Sequence, residues 1–311
     1  MIEVKNLCKR YGDRLAVNEL TFTVGPGVVT GFLGPNGAGK STTMRMLVGL
    51  DKPTSGSATV NGRCYAEHRA PLQEIGAMLD ARWVHPGRSA YSHLRAIAAT
   101  TGIPKRRVDE VLGLVGLQEA AHRRAATFSL GMGQRLGIAA ALLGDPGTVI
   151  LDEPVNGLDP EGVVWIRNLV KNLAAEGRTV FLSSHLMSEM ALTADHLVVI
   201  GRGRVVADVP LVEFTTLACG GDRVRVRSPH ATTLAELLAA PDVTVGGSTG
   251  GTLDVTGLTA EQIGERAARA GLTLYELSPQ RASLEDVFME LTQNCVEYHA
   301  VAGPPPARKA A

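Results

Sequence analysis

The sequence predicts a mixed α/β protein in which helices surround a largely parallel sheet, followed by a smaller α+β unit. Short apolar segments rich in β-branched residues, such as "VVTGFLG" and "TVILDEP", alternate with segments of helical periodicity. Apolar strands that alternate with helices are typical of a parallel sheet covered on both faces. A change in composition near Thr216–Gly221 indicates where the smaller unit begins.

Length and composition limit the classes of protein to consider. The 311 residues exceed the usual size of a single core, and 45% of them are hydrophobic, which favours globular domains over disorder. Lys and Arg together number 31, as do Asp and Glu, so the net charge of zero gives no sign of nucleic acid as a partner. The four cysteines are far apart and form no C-x-x-C pair, which favours free thiols in a reducing compartment.

No segment of the sequence has the features of a membrane-spanning helix. The start, "MIEVKNLCKR", lacks the apolar region of a secretory signal. The longest apolar runs, such as Leu136–Leu143, are much shorter than the ~20 residues that a spanning helix needs. We therefore expect that this chain does not cross a membrane by itself, which leaves a membrane-embedded partner open.

The elements of the larger part follow from periodicity and from start and stop signals. Strands are predicted at "MIEVKNL", "LAVNELTFTV", "VVTGFLG", "SATVNG", "LQEIGAML", "TVILDEP" and "TVFLSSH", and a hairpin at "HLVVIGRGRVVAD". Helices are predicted at "STTMRMLVGL", at "RLGIAAALLG", and from Ser89 to Gly116 with a break at Pro104. A further helix runs to Gly177, with Asp159 as its N-cap and a proline directly after it.

The smaller part reads as a split βαββαβ unit. Its predicted elements are strand Arg223–Arg227, helix Thr232–Ala239, two strands around "GGSTGG", helix Ala260–Ala270, strand Thr273–Leu277 and a last helix Ser283–Leu291. The predicted domains are therefore residues 1–216 and 217–295, with a disordered tail at 296–311. Three arginines alternate along the first strand, which favours a solvated face over a nucleic-acid site.

A glycine-rich segment, "GPNGAGKST", begins at Gly34 and fits the phosphate-loop pattern G-x-x-x-x-G-K-[ST]. It follows a predicted strand and opens a predicted helix, which disfavours the alternative of a glycine-rich turn without a ligand. In such a loop, backbone N–H groups and the helix N-terminus face phosphate oxygens. We expect Lys40 to reach the β- and γ-phosphates of a nucleotide and Ser41 to offer its hydroxyl to Mg²⁺.

Acidic residues and a histidine follow two other predicted strands of the sheet. Asp152 ends "VILD" and would hold Mg²⁺ through water, while the adjacent Glu153 could orient or deprotonate an attacking water. His185 follows "FLSS" at the same edge, which favours a contact with the γ-phosphate over a purely structural role. An Asp-Glu pair after a strand is weak evidence for a site unless a phosphate loop accompanies it.

With these motifs in order over residues 2–208, the chain resembles the ATP-binding subunits of ABC transporters. The resemblance implies a P-loop NTPase fold with a helical subdomain that carries the signature segment "FSLGMGQR", and it implies ATP and Mg²⁺ as cofactors. It implies catalytic roles for Glu153 and His185. The implied nucleotide-binding residues are Tyr11 for adenine, Gly34, Asn36, Gly37, Ala38, Gly39, Lys40, Ser41, Thr42, Ser129, Gly131 and Asp159; the implied metal ligands are Ser41, Asp152 and Asp80.

In this family two ATPase units pack head to tail, and each signature segment covers the nucleotide of the other unit. The chain has one phosphate loop, one signature segment and no internal repeat. The resemblance therefore implies a second ATPase subunit, most simply another copy of this chain.

Two positions depart from the family pattern. Leu130 stands where the signature segment usually has a glycine, so its side chain would crowd the loop. Asp80 stands where the family has a glutamine near Mg²⁺. Asp80 could still bind the metal with full charge, or its equivalent could lie elsewhere in "DARWVHPGRS".

The C-terminal segment "ASLEDVFMELT" resembles the end of exporter ATPases for drugs and antibiotics. It implies an exporter subunit at the cytoplasmic face of the membrane, bound to a separate permease, with the α+β unit in a regulatory or dimer-supporting role. Trp83, Val84 and Tyr91 could dock that permease or belong to the helical core. The alternative function is a soluble ABC-type ATPase that acts on ribosomes or nucleic acid.

Overall fold

The computed structural model describes residues 1–80, 84–218, 223–248, 251–280 and 288, and these residues fold into two compact units. The described part of the first unit ends at Val209, and the second unit begins at Pro210. The predicted tail, residues 296–311, lies outside the described residues. Within the described part of the chain, no helix combines the length and the apolar character needed to cross a bilayer.

The elements of the first unit alternate along the chain as the sequence predicts. Its strands are β1 (Ile2–Tyr11), β2 (Arg14–Val24), β3 (Val29–Leu33), β4 (Ser55–Val60), β5 (Ile75–Met78), β6 (Thr148–Leu151), β7 (Thr179–Ser184), β8 (His196–Gly201) and β9 (Arg204–Pro210). Its helices are α1 (Lys40–Leu47), α2 (Pro71–Glu74), α3 (Ala90–Thr101), α4 (Lys105–Leu114), α5 (Leu130–Leu142), α6 (Pro160–Ala175) and α7 (Met187–Thr193).

Two sheets form the framework of this unit. The larger one has the strand order β5-β6-β7-β3-β8-β9, and the pairs β5–β6, β6–β7, β7–β3 and β3–β8 are parallel. The smaller one is antiparallel, with the order β2-β1-β4. Because parallel strands end at the same edge, the loops after β3, β5, β6 and β7 lie together.

An aromatic cluster fills the core of the first unit. Phe22 of β2, Phe32 of β3 and Phe181 of β7 pack with ring centroids 5.0 to 5.7 Å apart, and all three are buried. The cluster joins the antiparallel sheet to the parallel one. Burial of each such ring stabilises the fold by about 2 to 3 kcal/mol.

The strand predicted at "LQEIGAML" is wrong in its first half. Pro71 opens a single helical turn, α2, and only Ile75–Met78 form β5. Proline fixes φ near the helical value, so it favours the first position of a turn over a strand. Gly76 then lets β5 run directly against α5, because a Cβ at this position would collide with the carbonyl oxygen of Ala141.

The second unit contains the predicted order of strands and helices after an unpredicted helix. Its elements are α8 (Leu211–Ala218), β10 (Arg223–Arg227), α9 (Ala231–Leu238), β11 (Thr244–Ser248), β12 (Thr252–Thr256), α10 (Ala260–Arg269) and β13 (Glu276–Gln280). The sheet is antiparallel with the order β11-β12-β10-β13. The strand β13 begins three residues later than predicted, and all of the predicted last helix except Phe288 lies outside the described residues.

Side chains from the sheet and from the helices α9 and α10 build the core of this unit. Val224 and Val226 of β10 alternate inward and pack with Leu234, Leu253 and Ile263. The arginines at 225 and 227 alternate outward and are exposed, and Arg225 Nε lies 3.4 Å from Asp254 Oδ1. This arrangement agrees with the prediction of a solvated face.

Candidate functional site

The loop between β3 and α1 wraps around a cavity of about 410 Å³. Gly37 and Gly39 have φ values of 83° and 107°, which side-chain-bearing residues rarely adopt. A Cβ at Gly39 would lie 2.7 Å from the Ala16 carbonyl oxygen, and one at Gly34 would lie 2.5 Å from that of Ile200. The cavity is lined by Tyr11, Arg14, Ala16, Pro35, Asn36, Gly37, Ala38, Gly39, Lys40, Ser41, Thr42 and Glu153.

Lys40, the first residue of α1, is a buried cation beside this cavity. Its Nζ donates to the Gly34 carbonyl oxygen at 2.6 Å and lies 3.5 Å from Glu153 Oε1. Burial lowers the pKa of Lys40, and the carboxylates of Glu153 and Asp152 oppose this effect. A positive charge at a helix N-terminus and glycine-rich loop can bind phosphate.

Two adjacent carboxylates follow β6 and point in different directions. Glu153 has a left-handed backbone, with φ of 49°, which separates its side chain from that of Asp152. Asp152 is buried and accepts a hydrogen bond from the Ser183 hydroxyl of β7. The Glu153 N–H donates to the same Ser183 oxygen at 2.9 Å. Sequence reasoning missed Ser183, although the polar pair that ends "TVFLSS" was a usable signal.

Glu153 contacts the second predicted catalytic residue, His185. His185 Nδ1 lies 2.8 Å from Glu153 Oε2, while the other carboxylate oxygen faces Lys40. Gln134 Nε2 of α5 donates to the Glu153 carbonyl oxygen at 3.0 Å, so backbone and side chain are both held. A carboxylate fixed in this way can orient a water molecule and accept its proton.

A second cavity of about 270 Å³ adjoins the same carboxylates. It is lined by Leu79, Asp80, Leu130, Gln134, Asp152, Glu153 and Asn156. Asp80, which follows β5, therefore borders the same space as Asp152, which follows the neighbouring strand β6. In the described ranges, no group of three or more His, Cys, Asp or Glu residues could form a metal cage on its own.

The segment "FSLGMGQR" leads into α5. Ser129 is the N-cap of this helix, and its Oγ accepts from the Met132 N–H at 3.2 Å. Arg135 lies over the Trp165 ring at 4.4 Å from the centroid and donates to the Val115 carbonyl oxygen at 3.0 Å. These two contacts fix α5 against α6 and against the end of α4.

Leu130, which replaces a glycine of the family pattern, is accommodated without distorting the start of α5. Its side chain is 55% exposed and packs over Gly157, where a Cβ would overlap it. Gly131 follows in the first turn, close to the Gly157 carbonyl oxygen. Asp159 is the N-cap of α6, as predicted, and its Oδ1 accepts from the Gly162 N–H at 2.9 Å.

Leu130 and Gln134 of the signature segment line the second cavity, whereas the phosphate loop lines the cavity beside Lys40. Of the described residues that line the cavity beside Lys40, none belongs to the segment 128–135. Ser129 and Gly131 are therefore separate from Lys40, whereas Asp152, Glu153 and His185 are grouped with it.

Comparisons with known proteins agree with this geometry. Residues 17–156 match the family model for ABC transporters. The chain is 36% identical over 295 residues to the ABC transporter ATP-binding protein YhcH of Bacillus subtilis, covering 94% of this chain and 96% of YhcH. The chain belongs to the ATP-binding subunits of ABC transporters. The predicted P-loop NTPase fold and ATP hydrolysis are thereby confirmed.

Two further similarities bear on this ABC ATPase. It is 43% identical over 213 residues to the bacitracin transport ATP-binding protein BcrA of Bacillus licheniformis, covering 68% of this chain and 70% of BcrA. A dimeric structure of a bacterial ABC transporter cassette superposes with a TM-score of 0.63 at 25% identity, covering 68% of this chain and 99% of the cassette. Residues 222–285 match a domain of unknown function, DUF8746.

Replacing Ser183 with alanine tests whether its hydrogen bonds to Asp152 and to the Glu153 N–H support catalysis. Ser183→Ala removes the hydroxyl that bonds both Asp152 and the Glu153 N–H, so we expect kcat for ATP hydrolysis to fall about ten-fold. Steady-state phosphate release measures this change. Thr148→Val is the matched control, because this buried hydroxyl at the other end of β6 has no hydrogen-bond partner among the described residues. Equal kcat values for Ser183→Ala and Thr148→Val would contradict the assignment.

Proposed function

We propose that this ABC ATPase drives the export of an antibiotic or drug-like compound through a separate membrane permease, at the cytoplasmic face of the membrane. The proposal is supported by similarity to a bacitracin transport protein over 68% of the chain. The observation that carries it is the cavity beside Lys40, where Glu153 contacts Lys40 through one carboxylate oxygen and His185 through the other. The alternative, action on ribosomes or nucleic acid, is not favoured, since the net charge is zero.

The nucleotide binds in the cavity beside Lys40 in this proposal. The backbone amides of the phosphate loop and the Lys40 ammonium hold the phosphates, and Tyr11 stacks on adenine. The burial of Lys40 and its position at the start of α1 support the phosphate role, because a buried ammonium gains most from an anionic partner. The exposed Tyr11 ring, which lines the same cavity, supports the base role.

Glu153 orients the attacking water and accepts its proton, and His185 holds Glu153 and contacts the γ-phosphate. The 2.8 Å contact between His185 Nδ1 and Glu153 Oε2 supports this division. Once phosphate oxygens draw Lys40 away, the Glu153 carboxylate is left to act on water. The proposed reaction is hydrolysis of the bond between the β- and γ-phosphates.

The residues beside the loop fit a Mg²⁺ ion. Ser41, Asp152 and Asp80 offer hydroxyl and carboxylate oxygens, which are the ligands that Mg²⁺ prefers. Mg²⁺ is usually held by one or two carboxylates together with substrate phosphates, so no protein-only cage is required. The bound ion would neutralise charge on the β- and γ-phosphates.

Hydrolysis requires a second ATPase subunit, most simply another copy of this chain. Ser129, Gly131 and Asp159 act on the nucleotide held by that partner. The proposal is supported by their absence from the lining of the cavity described beside Lys40, and by similarity to a cassette whose structure is dimeric. The N-terminus of α5 would then face the partner's γ-phosphate.

The permease would dock in an apolar groove of about 330 Å³. Its lining includes Val84, Ile97 and the imidazole of His93, whose Nδ1 has no hydrogen-bond partner among the described residues. Tyr91 instead packs against His122 with tilted rings whose centroids are 5.4 Å apart, which supports a role in helix packing. Trp83 lies outside the described residues.

Glu153→Gln tests the catalytic role. The amide cannot accept a proton from water, so we expect kcat to fall at least about a hundred-fold while ATP binding persists. Phosphate release and equilibrium binding of ATP measure the two effects. The control is Glu119→Gln, which changes an exposed acid that lines neither of the two cavities described beside Glu153. Undiminished turnover by Glu153→Gln would refute the assignment.

Asp80→Asn tests whether Asp80 binds Mg²⁺. Loss of the negative charge weakens the interaction with Mg²⁺, so we expect hydrolysis to require several-fold more Mg²⁺ for half-maximal rate. A Mg²⁺ titration of the ATPase rate measures this shift, with Asp109→Asn, an exposed acid of α4, as control. An unchanged Mg²⁺ requirement would show that Asp80 is not a ligand.

Co-expression with a candidate permease tests the transport role. We expect the chain to move into the membrane fraction only when its permease is present, since docking supplies the attachment. Ile97→Glu places a charge in the apolar groove and should reduce recruitment while leaving ATP binding intact. Membrane association that does not depend on the permease would contradict the proposal.

A further inference from the structure

Four side chains form a connected group beside the cavity, and one of them, Tyr11, lines it. We call Lys9, Tyr11, Arg45 and Asp51 the base-platform group. The Tyr11 hydroxyl, at the end of β1, donates to Asp51 Oδ2 at 2.8 Å. Asp51 lies just beyond α1, and Arg45 Nε of that helix donates to the same carboxylate oxygen at 2.6 Å.

The charges in this group keep the hydrogen bond to Tyr11 in place. The hydrogen bond from Arg45 is the main cause that lowers the pKa of Asp51, so this carboxylate stays ionised and able to accept. Burial, followed by the hydrogen bond to Asp51, raises the pKa of the Tyr11 phenol, which therefore stays protonated and able to donate. Both partners hold these states across the neutral range.

Lys9 restricts which face of the Tyr11 ring can meet a ligand. Its Nζ lies 4.8 Å from the ring centroid and is itself held by a hydrogen bond of 2.7 Å to the Lys52 carbonyl oxygen. A cation over one ring face leaves the other face for a flat ligand group. The residue remains 45% exposed and borders the cavity.

We propose that Asp51, fixed by Arg45, is a positioning residue that orients the Tyr11 ring for stacking on the nucleobase. The inference rests on the proposed role of Tyr11 and adds what holds that ring in place. Arg45 stands five residues after Lys40 on α1, or about 7.5 Å along the helix axis. The same helix therefore sets the separation between the phosphate contact and the base platform.

Binding of ADP and of inorganic pyrophosphate distinguishes this role of Asp51 from a purely structural role in the fold. ADP carries a base and cannot be hydrolysed at the γ-position, whereas inorganic pyrophosphate carries phosphates alone. In the full chain, Asp51→Ala should weaken ADP binding about five-fold, which corresponds to one hydrogen bond, and leave pyrophosphate binding unchanged. Asp51→Asn keeps an acceptor oxygen and should recover most of the ADP affinity. Asp109→Ala, at an exposed site on α4, is the control.

A double-mutant cycle tests whether Asp51 acts through the Tyr11 hydroxyl. Tyr11→Phe should weaken ADP binding by a similar factor, and Asp51→Ala should add nothing in that background. Tyr11→Phe also tests the contact if Asp51→Ala does not fold. Equal losses for ADP and pyrophosphate, or a full effect of Asp51→Ala in the Tyr11→Phe background, would overturn the inference. Unchanged ADP binding by Tyr11→Ala would instead remove the proposed role of Tyr11 itself.

Discussion

The Glu153 carboxylate contacts both Lys40 and His185. Its Oε1 lies 3.5 Å from Lys40 Nζ, and its Oε2 lies 2.8 Å from His185 Nδ1. Three loops contribute these groups, and they meet because β3, β6 and β7 are neighbouring parallel strands. The burial of Lys40 strengthens its interaction with Glu153 relative to water, whereas the contact with His185 is exposed. In the proposed mechanism, a nucleotide that enters beside Lys40 competes with this carboxylate, so nucleotide binding also releases the proposed catalytic group.

The arrangement also leaves the site open on one side. The groups proposed to bind phosphate line the cavity from the loop and from α1, while Ser129, the N-cap of α5, is not among the residues described in that lining. In the proposed dimer, the N-terminus of α5 faces the phosphates of the nucleotide that the second copy holds. In this proposal, Leu130 over Gly157 joins the two segments that would meet the partner, and the base-platform group fixes the far end of the nucleotide.

The sequence predicted the site best where one motif carries all the information. Lys40 and Asp152 follow from a phosphate loop and from an apolar strand that ends in an acid. Ser183 could not be derived in this way, because its contact with Asp152 depends on the register of two strands, in which Leu151 pairs with Leu182. Asp51 was missed for a similar reason, since only the fold brings the end of α1 beside Tyr11. The first half of "LQEIGAML" differs from the predicted strand because Pro71 opens a helical turn there.

The rate of ATP hydrolysis per chain, measured across a wide range of protein concentration, tests most directly whether one copy holds an incomplete site. If the site needs a partner, the rate per chain rises with concentration as dimers form, and Ser129→Arg lowers it at every concentration. A constant rate from a preparation that stays monomeric in the presence of Mg²⁺ and ATP, and that is indifferent to Ser129→Arg, would contradict this account.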